Sequence, residues 1–356
     1  MKAINLYHNI IEENIQTVLD HGLNKHQNIL FNIINLLIRK FSNQKNRLIS
    51  LRLKYIKKIP YFSAQFSLDY LEYIIKNNPD IPYDYYPKND KNEIDFFLKI
   101  MLKGVYSDGY YLEDFGDRWD EFEAIRKNVG RNLKLNLFSN VYELYGFKSV
   151  VYPDTGIFPD NYKLKILKSR KHDVCFDIGA YIGDSAYIIN NELNPRKIYA
   201  FEPEKNNFNI LSENIKLNNL NNVIVPVNVA TSSEEGSMVL ESMNASSSLK
   251  LRKKLGGQTV KVTTLDSFVK IQKLNSVDLI KMDIEGAEMN TLLGAKELIK
   301  KYKPDLVIAL YHKGQHFFEI PVMLRKLVPD YKFRFIALKG SSPVIERFLM
   351  ASIRKI

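Results

Sequence analysis

An α/β fold with a doubly wound, mainly parallel seven-stranded sheet, preceded by a mostly helical region, is predicted by three observations. Beyond about residue 172, short apolar runs alternate with helical segments, the grammar of strands joined by helical crossovers. The first such run ends in a glycine turn that opens a helix, where sheets of this kind bind ligands. Before residue 150, apolar residues recur instead at helical spacing.

The helical spacing runs through 4–19, 29–41 and 68–75. A further helix starts with Asp117 as N-cap, passes Trp119, Phe122 and Ile125, and ends near Gly130. Pro79, Pro82 and Pro87 break the pattern and mark a loop or subdomain edge. Residues 1–150 are therefore expected to form a helical region that covers a pocket, dimerises or docks a partner enzyme. Residues 151–356 are expected to form the sheet domain. Its first strand is Val174–Ile178, followed by a helix from Asp184. Lys197–Phe201 is the second, with a helix through 208–217, and 223–229 is the third. The fourth is 277–282, with a helix through 289–299, and 306–310 is the fifth. Stretches 331–338 and 346–353 close the sheet.

Composition removes several classes. With 356 residues, 45% hydrophobic and 26% charged, the chain has room for two domains and no signature of wholesale disorder. Cys175 is the single cysteine, which excludes an intramolecular disulfide and a thiolate zinc cluster, and its apolar neighbours suggest an inert buried thiol. The N-terminus lacks the basic start and apolar run of a signal peptide. The most apolar stretch, 29–38, is broken by Asn32 and Asn35, whereas a membrane span needs about 20 apolar residues. A soluble cytoplasmic protein is expected. The formal charge of +11 divides into +3 over residues 1–150, −2 over 151–250 and +10 over 251–356. That excess suits a solvated surface or an anionic, phosphate- or nucleotide-linked ligand. No aromatic–basic motif accompanies it, so no specific nucleic acid is expected.

The richest chemistry lies in Phe176-Asp177-Ile178-Gly179-Ala180-Tyr181-Ile182-Gly183-Asp184-Ser185. Tyr181 stands where dinucleotide enzymes need a second glycine to admit a pyrophosphate, which lowers the case for NAD. Acidic Asp177 and Asp184 suit a positively charged ligand end. Nineteen residues beyond Gly183, the second strand ends in Phe201-Glu202-Pro203. A carboxylate there can accept hydrogen bonds from both ribose hydroxyls of an adenosine. Together, glycine loop and acidic strand end point to an adenosine-containing cofactor.

These residues resemble the FkbM family of S-adenosylmethionine-dependent methyltransferases. The likeness extends through Val227-Asn228-Val229-Ala230 and Thr264-Leu265-Asp266 to Lys281-Met282-Asp283-Ile284-Glu285-Gly286-Ala287-Glu288, its most distinctive octet. It covers roughly residues 150–340 and implies the Rossmann-like class I methyltransferase fold. It further implies that Asp177, Gly179 and Gly183 line the methionine end of S-adenosyl-L-methionine, with Ala180, Tyr181, Asp184 and Ser185 also at the cofactor. Glu202 would then hold the ribose, with Pro203 beside the cofactor, and Asn228, Val229 and Ala230 would border the adenine. At 152–159 the chain departs from many relatives, because Thr155 rather than His precedes Gly156.

The implied reaction is O-methylation of a sugar or glycan-precursor hydroxyl, as in polysaccharide biosynthesis. The proton acceptor must stand at the mouth of the sheet, where Asp283, Glu285 and His312 qualify by placement. Asp283 is also expected to border the cofactor. His312 is the best-suited acceptor near neutral pH. The three could also hold a divalent metal, although no independent ligand spacing supports one. His312 and His316 suit a metal only on a helix, and Gly314 argues against a helix there. The loop 244–248 and the aromatic, acidic stretch 106–122 are candidates for flanking the acceptor. An RNA or protein methyltransferase and a non-catalytic cofactor-binding adaptor are the alternatives, and a homo-oligomer is compatible with either.

Overall fold

The computed structural model describes residues 1–6, 9, 62–103, 117–136, 138–153, 161–167, 171–243, 246–249, 258–338 and 346–356. The expected helix 29–41, all but four residues of 4–19, and residues 106–116 of the aromatic stretch lie outside them, as do Thr155 and Gly156.

In chain order the elements begin with α1 (Phe62–Asn77), α2 (Lys91–Lys103) and α3 (Asp117–Asn132). Three short strands follow, β1 (Lys134–Asn136), β2 (Val141–Leu144) and β3 (Phe147–Ser149). The sheet region continues with β4 (Val174–Ile178), α4 (Asp184–Leu193), β5 (Lys197–Phe201), α5 (Lys205–Leu217) and β6 (Ile224–Val227). Next come β7 (Ala230–Thr231), β8 (Gly236–Met243), β9 (Ser246–Leu249), β10 (Gln258–Thr263) and α6 (Leu265–Ile271). The chain ends with β11 (Leu279–Met282), α7 (Glu288–Leu293), α8 (Lys296–Tyr302), β12 (Asp305–Ala309), α9 (Gly314–Leu327), β13 (Lys332–Ala337) and β14 (Arg347–Ser352).

The main sheet runs β13-β14-β12-β11-β4-β5-β6. From β12 to β6 neighbouring strands are parallel, and β14 pairs antiparallel with both β12 and β13. Every residue of β4, β11, β12 and β14 is buried, as expected where helices cover both faces of a sheet. The chain leaves β4 toward β5 and β6, then returns to lay β11 on the other side of β4. This reversal opens a crevice at the carboxyl ends of β4 and β11.

All seven expected strands are present, with ends shifted by a few residues at most. Three departures have local causes. First, the expected helix 289–299 is two helices, α7 and α8, broken at Gly294. A Cβ on Gly294 would collide with the carbonyl oxygen of Ser232, so the chain approaches there with no room for a side chain. Gly294→Ala should therefore cost about 1–3 kcal/mol and lower the midpoint of thermal unfolding, which a melt would show. Second, a smaller sheet, β7-β10-β8-β9, projects between β6 and β11. Its strands are short or polar, and among the residues whose burial is described, Ala230, Leu240, Val260 and Val262, with Met238 against them, form its core. Within the expected loop 244–248, residues 246–248 belong instead to strand β9, while Asn244 and Ala245 lie outside the described residues. Third, Gly314 does not prevent a helix but begins α9. Its amide donates to Asp69 Oδ1 at 2.7 Å.

The first part is not purely helical, because β1, β2 and β3 form a meander. Among the described residues, most of its buried apolar side chains join the core of the main sheet. Leu68, Tyr70, Leu71 and Ile74 of α1, with Ile94, Phe97 and Leu98 of α2, share one buried cluster with the main sheet. Cys175 is buried within β4. Among the described residues, no helix is long and apolar enough to cross a membrane.

Candidate active site

Above the β4–β11 crevice lies a cavity of about 290 Å³. One wall is the turn between β4 and α4. Gly179 adopts φ +81, and a Cβ there would strike the carbonyl oxygen of Asp283, so only glycine allows this turn to rest on the end of β11. The amides of Gly179 and Ala180 donate to Phe201 O at 3.0 and 2.9 Å. Tyr181 N donates to Glu202 Oε2 at 3.0 Å, and Glu204 N to Glu202 Oε1 at 2.9 Å. Glu202 is thereby fixed beside the turn. Burial pushes its carboxyl up to about 7, even though the Glu204 and Tyr181 amides favour the charged form.

Of the residues expected around the cofactor, Gly179, Tyr181, Asp184, Ser185, Glu202, Pro203, Val229, Ala230 and Asp283 line the cavity. Asp177, Ala180, Gly183 and Asn228 do not. Ala180 is fully buried, and Gly183 is the N-cap of α4 at φ 95. Asn228 acts from behind, its amide donating to the carbonyls of Glu202 and Pro203 at 2.8 and 3.1 Å. Asp177 lies beneath the floor, where its Oδ1 meets Lys281 Nζ at 3.1 Å and its Oδ2 accepts from Ser185 Oγ at 2.6 Å. Burial opposes charge on Lys281, but Asp177, with Asp283 and Asp184, raises its pKa above the ordinary value. Lys281 also donates to Gly179 O at 3.0 Å, joining floor to turn.

On the other side stand the three residues expected near the reacting atoms. Asp283 and Glu285 line the cavity and follow β11, whereas His312 follows β12. His312 Nε2 is 3.6 Å from both Asp283 Oδ1 and Glu285 Oε2. Its Nδ1 faces Glu288 Oε1 at 2.7 Å, and Glu288 Oε2 is 3.1 Å from His316 Nδ1. His312 and His316 therefore converge on one buried carboxylate rather than forming a helical pair. Burial would raise the Glu288 pKa, but the two imidazoles hold it well below the usual carboxylate range. Burial likewise works against charge on His312, yet Glu288, with Asp283 and Glu285, lifts it to about 9. Its three acidic neighbours thus favour the protonated ring, which makes His312 a weaker neutral base than its type suggests. Tyr311 OH donates to Asp283 Oδ1 at 3.0 Å. Phe66 of α1 lies 5.8 Å from the His312 ring, so the first part of the chain walls this end of the site.

Lys281 and Glu288 stand in the distinctive octet, where the sequence assigns them no role, and Tyr162 and Tyr311 are not among the residues it marks for the site. A signal existed for Lys281. It is the one charge in the apolar strand Leu279–Met282, and β11 registers it opposite Asp177, the one charge in Val174–Ile178. The lining carries Asp184, Glu202, Asp283, Glu285 and Glu346 against Lys281, the one cationic residue lining the cavity among those described. Among the described residues, the other basic groups of the last third do not line this cavity.

Strand order, switch point and strand-end cavity define the class I methyltransferase fold. Residues 177–335 match the profile of the methyltransferase FkbM domain. Over 156 residues it is 27% identical to the hexuronic acid methyltransferase AglP of Haloferax volcanii, covering 44% of this chain and 62% of that protein. The chain is also similar to the solved methyltransferase FkbM from Methylobacillus flagellatus KT, with 16% identity, TM-score 0.48, and coverage of 80% of this chain and 62% of that one. A third likeness is to the O-methyltransferase from Bacillus cereus in complex with SAH, with 15% identity, TM-score 0.36, and coverage of 66% and 91%. The chain thus spans under two thirds of the length of the first two.

Proposed function

We propose that this protein transfers the methyl group of S-adenosyl-L-methionine to a hydroxyl of a sugar or glycan precursor. The carrying observation is that Glu202 and the pair Asp283 and Glu285 line one cavity from opposite sides. Glu202 accepts from the ribose hydroxyls, and the acidic lining favours the sulfonium over a neutral or anionic ligand. The acceptor oxygen attacks the methyl carbon in line as the carbon–sulfur bond breaks. Its electron pair stays on sulfur, which leaves as a neutral thioether, and the hydroxyl proton passes to a carboxylate of Asp283 or Glu285. Positioning supplies about 7–11 kcal/mol of the barrier reduction and proton transfer about 10²–10⁴-fold in rate. The likeness to a hexuronic acid methyltransferase supports a sugar acceptor.

The test is transfer of labelled methyl to uronic acids, neutral sugars, nucleotide-sugars and glycan extracts. An alkali-stable label identifies a methyl ether and is the expected result. An alkali-labile label would move the reading to a carboxylate acceptor, and no transfer to any sugar would overturn it.

Cofactor binding should depend on pH through Glu202. Its free-protein pKa is about 7, and the ribose hydroxyls favour its charged form. Binding then expels a proton below pH 7, so affinity should fall by up to about tenfold per pH unit as pH drops from 7 to 5. Calorimetry in buffers of different ionisation enthalpy would show the proton release. Glu202→Gln should flatten the profile.

A further inference from the structure

His312 holds a buried nitrogen with no hydrogen-bond partner, and that nitrogen faces two carboxylates. Its side chain is 1% exposed, and Nε2 makes no hydrogen bond. On the opposite edge of the ring, Nδ1 lies 2.7 Å from Oε1 of the fully buried Glu288, which also accepts from Ile284 N at 3.0 Å. A carboxylate behind an imidazole in this way is the arrangement that fixes a metal-binding histidine, its Nε2 aimed forward to take a cation in place of its proton.

Ahead of Nε2 lie Asp283 Oδ1 and Glu285 Oε2, each at 3.6 Å. That separation is too long for an N–H···O hydrogen bond. It does match two donor atoms on one ion. Atoms each about 2.1 Å from a shared cation stand about 3.0–3.6 Å apart, depending on coordination geometry. The backbone is shaped to the same end. Glu285 and Gly286 take φ 53 and φ 101 in succession, a rare conformation for a glutamate, and this places the Glu285 carboxylate against His312. Tyr311 OH donates to the Asp283 oxygen that faces His312, as outer partners of ligating carboxylates do. Glu288 belongs behind the ring rather than among the ligands, since both its oxygens are turned to imidazole Nδ1 atoms.

We propose that His312 Nε2, Asp283 Oδ1 and Glu285 Oε2 bind one divalent cation of the manganese or magnesium class. One imidazole with two carboxylates suits such hard or borderline ions. The proposal rests on the hydroxyl-methylation reading. The cation would balance the acidic acceptor wall and take the acceptor hydroxyl, with a neighbouring sugar oxygen, on its remaining positions. Lewis-acid coordination lowers the hydroxyl pKa, and the proton leaves to a carboxylate oxygen not bound to the cation.

The test uses the full chain stripped with EDTA and titrated with Mn²⁺, with the free-ion EPR signal as readout. S-adenosylmethionine binding is measured on the same samples by calorimetry. The expected result is one Mn²⁺ per chain, displaced by Mg²⁺ and weakened at least tenfold in both His312→Gln and Glu285→Gln. Cofactor affinity should stay within about twofold in both. Glu285 is a third exposed, so its variant remains informative if the His312 variant does not fold. No stoichiometric binding of Mn²⁺, Mg²⁺ or Zn²⁺ by a wild-type chain that binds the cofactor would overturn the cation site and leave the methyltransferase reading standing. Equal Mn²⁺ affinity in wild type and both variants would overturn it too, by placing the ion elsewhere. Failure to bind the cofactor would instead count against the functional reading, whatever the metal result.

Discussion

Glu285→Gln should lower kcat by about 10²–10⁴-fold while cofactor affinity and thermal stability stay near wild type. The substitution keeps the volume and removes only the negative charge, which burial already disfavours at the half-buried Glu285, so the fold should lose little. His312→Ala is a poorer probe. It would strip the buried Glu288 of its 2.7 Å partner and mix a loss of stability, about 3–5 kcal/mol for a broken buried pair, with any loss of catalysis. Single-turnover methyl transfer, with calorimetry on the same preparation, checks the prediction. A Glu285→Gln enzyme with wild-type turnover would remove the residue from the reaction.

Lys281→Met should be among the most destabilising single changes in the sheet, at about 3–5 kcal/mol. Lys281 is 3% exposed and Asp177 is not exposed at all, so the substitution leaves a carboxylate uncompensated under the cavity floor. The loss should show as a lower denaturant midpoint. The double variant Lys281→Met with Asp177→Leu should recover much of it, because replacing a whole buried pair by apolar groups is often neutral or stabilising. Recovery in the double variant separates the cost of an orphaned charge from that of lost packing. If the single variant unfolds at the wild-type midpoint, the pair does not support the floor.

Much of the main sheet was legible because each strand carries its own signal. Val174–Ile178 and Lys197–Phe201 match observed strands end to end, since strands buried on both faces read as apolar runs between turn residues. The glycine loop was legible for a related reason, as only glycine tolerates the close approach of Gly179 to the end of β11. What escaped depends on partners distant in sequence. The break at Gly294 is set by the backbone of Ser232, about sixty residues earlier, and local periodicity there reads as one continuous helix. Among the residues whose burial is described, the small sheet rests on four core residues in strands with weak alternation.

The site divides in the same way. Cofactor-side residues cluster in two short motifs, and most of those named from sequence do line the cavity. Asp177 carries the expected type at the expected place, yet its charge is committed to Lys281 and Ser185. The charge state of His312 was not legible at all. It is set by Glu288, which sits within the distinctive octet but reads there as an ordinary helix-start acid.

The central claim is that the cavity between Glu202 and Asp283 holds S-adenosylmethionine. Its most direct test is calorimetric titration of the purified protein with S-adenosylmethionine and with S-adenosylhomocysteine at pH 8. The account predicts one site per chain for both ligands, and at least tenfold weaker binding in Glu202→Gln. Absence of binding at millimolar ligand, or affinity indifferent to Glu202→Gln, would contradict it.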